Sequence, residues 1–250
     1  MNLGFVSRGW RPAAAASLLV LAGCASAAAF DDYFVAIKRD DPNAITTLLN
    51  RNVDPNALSP QGEAPLVLAI REQSTKAVKA LLASRKTKVE IRNKKDESPL
   101  MLAAIKGDTD LVRALLARDA DVNKPGWAPL HYAASVSTPQ QATIAKLLLD
   151  NYAFIDAESP NGTTPLMMAA FYGSSDVARL LLAEGADTAM RNQQGMTAAD
   201  FARKGGREDL AQEIAAAAAQ TAAGQPARPA QQTSPAAAPP SQQPRVRGSW

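Results

Sequence analysis

The stretch TPLMMAAFYGSSDVARLLLAEGAD, residues 164–187, predicts the fold of most of this chain. Thr164 can cap a helix, and Pro165 suits the first helical position because its φ is preset and its missing N–H would have no partner there. A second apolar segment, residues 177–183, has the periodicity of an amphipathic helix, and Gly185 follows where a positive φ is needed to end it. The stretch therefore predicts two short helices in succession.

The same pattern recurs along the chain with a period of about 33 residues. Pairs of leucines are spaced 33, 34, 33 and 33 residues apart. These pairs are Leu48-Leu49, Leu81-Leu82, Leu115-Leu116, Leu148-Leu149 and Leu181-Leu182. A Pro-Leu pair opens each central copy of the repeat. One copy cannot bury its apolar face alone, so we expect consecutive copies to stack and share a core.

These residues resemble the ankyrin repeat. The resemblance is carried by residues 164–170 and 177–187, and by Pro129-Leu130-His131-Tyr132-Ala133-Ala134 in the preceding copy. It covers about residues 30–215. It implies an all-α solenoid of stacked helix-turn-helix units joined by short β-hairpin fingers. It also implies a non-catalytic surface that binds other proteins, with no cofactor.

The repeats suggest a division of the chain into five segments. We predict an export signal at 1–29, an N-terminal capping repeat at 30–62, four central repeats at 63–195, a C-terminal capping repeat at 196–219 and a disordered tail at 220–250. Polar residues enter the pattern in both terminal repeats, as the solubility of a repeat array requires. The tail consists mainly of Ala, Pro and Gln, which cannot offset the entropy cost of ordering.

The beginning of the chain has the pattern of a bacterial export signal. Two arginines precede a short apolar run, residues 12–22, which falls short of the ~20 apolar residues of a membrane-spanning helix. Two cleavage sites compete. Leu21-Ala22-Gly23-Cys24 resembles a lipobox, in which Cys24 would carry a lipid, whereas Ala27-Ala28-Ala29 fits ordinary signal cleavage. Both predict an exported, periplasmic protein, and only the lipid on Cys24 would attach it to a membrane.

Charge and composition exclude several classes of function. The formal net charge is +3, but residues 30–215 hold 22 basic and 24 acidic groups, a net charge of −2. A generally basic surface for nucleic acid is therefore not expected. A local basic run at residues 76–95 is either a solvated face or a contact for an anionic partner or for lipid headgroups. With one cysteine and one histidine, the chain has no internal disulfide and lacks the usual ligands of a zinc site.

His131 is the only histidine and the main candidate for catalysis. It stands at the fourth position of the turn that begins the first helix, where the resemblance implies that the imidazole bonds to nearby backbone. Val67, Met101 and Met167 hold the same position in other copies. No nucleophile-elbow, zinc-protease or P-loop motif accompanies His131. We therefore expect a structural role for His131 and no enzymatic activity.

The resemblance places partner binding at the finger tips and at the exposed ends of the first helices. Aromatic side chains at such positions are favoured anchors of protein interfaces. The candidate partner-binding residues are Arg71, Glu72, Lys94, Lys95, Ile105, Lys106, Trp127, Val136, Phe171 and Tyr172. The alternative for Phe171 and Tyr172 is packing between adjacent helices. We expect a monomer that binds a protein partner; the alternative is an envelope tether held by Cys24.

Two irregularities interrupt the repeat. The prolines are spaced 34, 30 and 36 residues apart while the leucine pairs keep their period, so the finger at 123–127 is shortened and the turn at 135–141 is lengthened by about three residues each. A notch at Trp127 is either functional or the result of neutral loop variation. Arg85 and Tyr152 stand where other copies place Gly, Asn or Asp, so we expect these two helix ends to deviate.

Overall fold

A computed structural model describes residues 29–223 of the chain. The predicted export signal up to residue 28, including Cys24, and the tail from residue 224 onward lie outside the described residues. The described chain divides into two compact units at Lys88, residues 29–88 and 89–223. No described helix is long and apolar enough to cross a membrane.

The first unit contains four described helices. These are α1 (residues 29–38), α2 (Pro42–Asn50), α3 (Pro65–Arg71) and α4 (Thr75–Ala83). The second helices of the two repeats, α2 and α4, pack on each other, and α3 packs on α4. Asp40 reaches from the turn after α1 to α4, where its carboxylate accepts a hydrogen bond from the Ala77 N–H at 2.7 Å. Neighbouring helix pairs are thus joined by both apolar packing and side-chain bonds.

The second unit contains four consecutive helix pairs. These are α5 (Pro99–Lys106) with α6 (Thr109–Leu116), α7 (Pro129–Ala134) with α8 (Gln141–Asp150), α9 (Pro165–Phe171) with α10 (Ser175–Ala183), and α11 (Ala198–Lys204) with α12 (Glu208–Ala222). The first helices α5, α7, α9 and α11 pack in that order, and α6, α8, α10 and α12 form a second layer. The helix α12 includes residues 220–222, the start of the predicted tail.

The helices begin where the sequence supplies a cap. Ser98 and Thr164 have extended backbone, and their hydroxyls accept the N–H of the third helical residue, at 3.2 and 3.3 Å. Proline follows each of them at the first helical position. Asp108 and Ser174 cap the second helices α6 and α10 in the same way. The stacked helix pairs confirm the predicted all-α ankyrin-type fold.

The leucine pairs form the core shared by successive repeats. The first leucine of every pair is buried, with an exposed fraction of at most 7%, and the second is half-buried. The buried members are Leu48, Leu81, Leu115, Leu148 and Leu181. Burying one leucine side chain contributes about 2 kcal/mol before the entropy of ordering is subtracted. The expected equivalence of these positions is confirmed.

The predicted β-hairpin fingers are wrong: residues 29–223 contain no strand. Four fingers are tight turns instead, and two backbone hydrogen bonds close each of them at its first residue. The N–H of the first residue donates to the carbonyl four residues later, at 2.8 to 3.1 Å, in the pairs Ser59 with Glu63, Asn93 with Glu97, Ser159 with Thr163 and Asn192 with Met196. The carbonyl of the same first residue accepts the N–H three residues later, from Gly62, Asp96, Gly162 and Gly195, at 2.7 to 2.9 Å. Both bonds belong to one turn and no further pairs extend them into a ladder, so the chain turns without forming strands.

The ends of the second helices follow local sequence only in part. Gly185, Asn52 and Asp119 have positive φ, at 91°, 65° and 59°, as their residue types favour. The prediction that the Tyr152 end deviates is wrong, because Tyr152 also has a φ of 67°. The Arg85 end does deviate: its φ is not positive, and the Thr87 hydroxyl donates to Leu81 O at 2.6 Å instead.

Candidate functional site

The C-terminal ends of the first helices lie next to one another in the second unit. A Cβ placed on Gly107, at the end of α5, would lie 3.3 Å from Thr138 Oγ1 in the turn after α7. A Cβ on Gly173, just after α9, would lie 2.2 Å from Ala134 O of α7. A Cβ on Gly205, after α11, would lie 3.1 Å from Phe171 O. These close approaches join the ends of α5, α7, α9 and α11 into one continuous strip.

Five of the predicted partner-binding residues lie on this strip. Together with two residues of α11 they form what we call the helix-end row: Ile105, Lys106, Val136, Phe171, Tyr172, Phe201 and Lys204. Tyr172 is 58% exposed, and Lys106 and Lys204 are also exposed, whereas the four remaining apolar side chains are half-buried. The row is therefore an accessible surface whose base is anchored in the core.

An aromatic cluster forms the centre of the row. The rings of Phe171 and Tyr172 lie with their centroids 4.3 Å apart, and Phe171 meets Phe201 edge-to-face at 6.3 Å. Phe171 thus packs between adjacent helices, as the alternative interpretation holds, while it supports the exposed ring of Tyr172. Pairs of this kind add about 0.5–1.5 kcal/mol beyond the burial of their area. The cluster holds Tyr172 in place before any partner arrives.

Sequence reasoning missed Phe201 and the equivalent positions in the other repeats. These positions lie three residues after the first helical residue, and their side chains are Leu102, Tyr132, Met168 and Phe201. All but Leu102 are partly exposed. The repeat could have indicated these residues, because they lie four residues before the position that holds Lys106, Val136 and Tyr172 in their copies. Two residues that are four positions apart lie on the same face of a helix.

Tyr132 links two repeats through its hydroxyl, which donates to Glu97 Oε1 at 3.4 Å. Burial, with a further contribution from the Glu97 carboxylate, raises the pKa of Tyr132 to about 12. The Glu97 carboxylate also accepts a hydrogen bond from Asn93 Nδ2 at 2.6 Å. Tyr132 is therefore a neutral hydrogen-bond donor, and Glu97 is occupied by two partners.

The other predicted site residues lie elsewhere. Arg71 and Glu72 are exposed at the end of α3 in the first unit, where Arg71 pairs with Glu63 and Glu72. Lys94 and Lys95 are exposed at the tip of the finger that Asn93 and Glu97 close.

Trp127 lies in the shortened finger and is half-buried. Its ring packs edge-to-face on the His131 ring, with the centroids 5.3 Å apart. No backbone hydrogen bond closes residues 123–127 within the described chain, unlike the four other fingers. Lys124 of this finger instead pairs with Asp96 of the preceding one. The contact with His131 gives Trp127 a packing role in the structure.

His131 is fully buried and bonds to backbone on both sides. Its Nδ1 accepts the Ala128 N–H at 3.1 Å, and its Nε2 lies 2.9 Å from Thr163 O in the next repeat. This arrangement requires the neutral tautomer with the proton on Nε2. Burial lowers the pKa of His131 to about 4, although its backbone partners act in the opposite direction. The expected structural role of His131 agrees with this geometry.

A ladder of side-chain hydrogen bonds joins successive repeats, and sequence reasoning missed it. In each case a side-chain oxygen accepts a backbone N–H that lies 31 or 32 residues later. The pairs are Asn56 with Lys88, Glu90 with Asp121, Asn123 with Phe154, and Asp156 with Asp187, at 2.7 to 2.9 Å. Burial raises the pKa of both Glu90 and Asp156 above the usual range. These bonds set the register between neighbouring repeats.

Arg207 attaches the last helix pair to the row. Its guanidinium donates to the carbonyl oxygens of Ala169, Ala170 and Gly173 at 2.8 to 3.2 Å, and to Ser175 Oγ at 2.7 Å. The three carbonyls belong to the last turn of α9 and the residues after it, which intrahelical bonds leave without partners. A cation there also suits the helix dipole. Arg207 thus caps the helix that carries Phe171 and Tyr172.

Within residues 29–223, no group of three or more His, Cys, Asp or Glu side chains is placed to hold a metal ion. The basic run splits between the units. Lys76, Lys79, Lys86 and Lys88 are exposed in the first, whereas Arg92 of the second is half-buried and pairs with Glu90 and Asp96.

Comparison with known proteins agrees with this architecture. The family model for ankyrin repeats matches the chain three times, over residues 33–125, 84–159 and 153–223. These matches cover more than half of the sequence, so the chain belongs to the ankyrin-repeat family. Ankyrin repeats are typically protein-interaction modules and are usually non-catalytic.

Individual relatives share only the repeats. The chain is similar to ankyrin repeat and SAM domain-containing protein 6 of Mus musculus, with 36% identity over 81 residues, and to its Rattus norvegicus counterpart, with 35%. These matches cover 32% of this chain but only 9% of either relative. A solved ankyrin repeat domain from Acinetobacter baumannii aligns with a TM-score of 0.64 and 22% identity, covering 74% of this chain and 96% of that one. This last likeness concerns the fold alone.

Proposed function

We propose that this protein is a non-catalytic binding protein that captures a protein partner on its helix-end row. The observation that carries the proposal is the contiguity of the row, whose apolar side chains lie at the ends of the first helices of four successive repeats and whose centre is an exposed tyrosine on a packed aromatic base. Tyrosine is among the residues that most often dominate binding energy at interfaces.

The stacking of the helices supports tight binding at a modest entropy cost. Phe171 and Phe201 fix the position of Tyr172, and Arg207 fixes the end of α9 beneath it. A surface that is already ordered loses little conformational freedom when a partner binds. His131 takes no part in chemistry under this proposal, since both ring nitrogens are occupied by backbone groups in a fully buried site.

Site-specific photo-crosslinking tests the proposal. A photoreactive amino acid is placed at Tyr172 in the full chain, expressed in the native organism. The matched control places it at Tyr152, which is 86% exposed but ends the second helix α8 rather than a first helix. We expect a discrete crosslinked protein from position 172 and none from position 152. The same pattern from both positions would contradict a binding site on the row.

A stability control accompanies the crosslinking. Tyr172→Ala should abolish most of the crosslinking measured from position 106 on the same row, while the free energy of unfolding falls by about 1 kcal/mol or less, because the side chain is largely exposed. Undiminished crosslinking by a folded Tyr172→Ala variant would show that the tyrosine is not an anchor.

We also propose that the protein acts in the bacterial cell envelope, either free in the periplasm or held by a lipid on Cys24. Support comes from the sequence alone, namely the arginines and apolar run that precede Cys24. Metabolic labelling with a fatty acid, compared between the wild type and Cys24→Ser, tests the tether. Label that depends on Cys24 would support it, whereas a mature chain beginning at Phe30 would exclude it.

A further inference from the structure

The charge on the helix-end row is distributed unevenly. Lys106 lies at the α5 end and Lys204 at the α11 end, and both side chains are exposed. Neither forms an ion pair with any group in residues 29–223. The side chains between them are Val136, Phe171 and Tyr172. The row therefore consists of an aromatic and apolar centre with an uncompensated positive charge at each end.

The carboxylates near these ends are already engaged. Asp108 caps α6 by accepting the Leu111 N–H at 2.9 Å. Asp200 accepts the Thr197 N–H at 2.9 Å and pairs with Arg203 at 3.1 Å, and Arg203 also lies 3.9 Å from Glu208. Neither lysine shares these partners, so the positive charge at both ends remains available to an incoming ligand.

We propose that the row binds an acidic segment of a protein partner, with apolar side chains in its middle and carboxylates towards both ends. This inference rests on the proposed function and names the chemistry of its partner. Carboxylates would face Lys106 and Lys204, while an apolar or aromatic side chain packs against Tyr172. Charge complementarity of this kind gives specificity and speeds association more than it raises affinity.

The chain's own C-terminal tail does not fit this description. Residues 216–250 contain Arg228, Arg245 and Arg247 and no acidic group. A segment with this charge would be repelled by the two lysines, although its prolines could contact aromatic rings. The charge pattern therefore favours a separate, acidic protein over the tail.

The structure also sets the spacing of the acidic groups. Three steps between packed helices separate the end of α5 from the end of α11. At about 8–10 Å for each step, the lysines lie roughly 24–30 Å apart along the row. An extended segment advances about 3.3 Å per residue, so its carboxylates should be about seven to nine residues apart.

Synthetic peptides provide the test. Three fluorescein-labelled nine-residue peptides share an apolar centre containing leucine and phenylalanine, and their first and last residues, about eight positions apart as the spacing requires, are aspartate, lysine or serine. Fluorescence anisotropy with the full chain measures their dissociation constants at 50 and 300 mM salt. We expect the aspartate-ended peptide to bind best, the lysine-ended peptide to bind worst, and the difference to shrink at the higher salt concentration.

Charge reversal of the row supplies the matched comparison. The K106E/K204E double variant should weaken binding of the aspartate-ended peptide by about 2- to 25-fold, because each exposed ion pair contributes a factor of about 1.4 to 5. K79E is the control, since Lys79 is an exposed lysine of α4 in the first unit without an ion pair in the described chain. Its affinity for the same peptide should be unchanged.

Several outcomes would overturn the inference. They are equal affinity for the aspartate- and lysine-ended peptides, unchanged affinity in K106E/K204E, or no binding of any peptide. The native partner identified by crosslinking separates this inference from the proposed function. If Tyr172→Ala abolishes its capture while K106E/K204E does not reduce it, the row binds a partner but acidity does not define that partner.

Discussion

Replacing His131 with methionine should remove a loss of stability that the wild-type protein undergoes between pH 6.5 and pH 4. The folded protein holds the pKa of His131 at about 4, because the imidazole is buried between Ala128 and Thr163, whereas an unfolded chain has the ordinary value of about 6.5. The imidazole therefore takes up its proton more readily in the unfolded state. Its contribution to stability is complete above pH 6.5 and is lost as the pH falls towards 4.

The size of the effect follows from the two pKa values. At pH 4 the wild type should have lost about 3 kcal/mol through this group alone. Methionine is the matched replacement, since Met101 and Met167 hold the same position and their sulfur atoms lie 3.3 and 3.4 Å from the capping N–H. A methionine side chain cannot donate a hydrogen bond to Thr163 O, and this loss should lower the free energy of unfolding by about 1 kcal/mol. Thr163 O still accepts the Ser159 N–H.

Urea unfolding of both proteins, followed by circular dichroism at pH 7.5, 6, 5 and 4, measures the effect. The wild type should be more stable by about 1 kcal/mol at pH 7.5 and less stable than His131→Met by about 2 kcal/mol at pH 4. The difference between the two proteins isolates His131, because the carboxylates titrate in both. A difference that stays constant over this range would refute the assignment of a buried, neutral imidazole.

Three further substitutions test the packing of the repeats, each by its free energy of unfolding in urea. Gly173→Ala should destabilise the protein by about 3 kcal/mol or more, because the new Cβ would lie 2.2 Å from a backbone oxygen. The control Gly195→Ala, whose Cβ would have nothing within 4 Å, should destabilise it by only about 1 kcal/mol. Equal losses would argue against the close approach at Gly173. Tyr152→Gly should stabilise by about 0.5–1 kcal/mol, since relief of the positive φ outweighs the added freedom of the unfolded chain, and a destabilised variant would show that the exposed ring has a packing role. Arg207→Lys should cost about 2 kcal/mol, because one ammonium cannot reach three carbonyls and Ser175; an unchanged value would mean that these bonds contribute little.

The period of the leucines was sufficient to predict the helix pairs and their shared core. A residue that is buried at the same place in every repeat, such as Leu115 or Leu148, leaves a regular trace in the sequence. The strands of the fingers were predicted from the family resemblance and are absent from the described residues, because the backbone bonds of each finger close a single turn and do not continue as a ladder.

Other features depend on long-range contacts that local sequence does not reveal. Tyr152 adopts a positive φ against its own preference, and its carbonyl accepts a hydrogen bond from Asn123 Nδ2, 29 residues earlier in the preceding repeat. The role of Asn123 could be recognised only once the repeats were placed side by side. Five of the ten predicted partner-binding residues lie on the helix-end row. Phe201 could have been predicted from its position in the repeat, but its residue type alone did not indicate a place on the row.

The guanidinium of Arg207 ties the terminal repeat to the end of α9, where Tyr172 lies. Removing residues 196–223 to obtain a minimal binding fragment would leave three carbonyl oxygens at the end of α9 facing solvent and would take away Phe201 at the same time. The ring of Tyr172 would then stand on an end that can fray. A truncated protein that fails to bind would therefore say nothing about where the partner sits, and mapping of the interface should rely on point substitutions in the intact array.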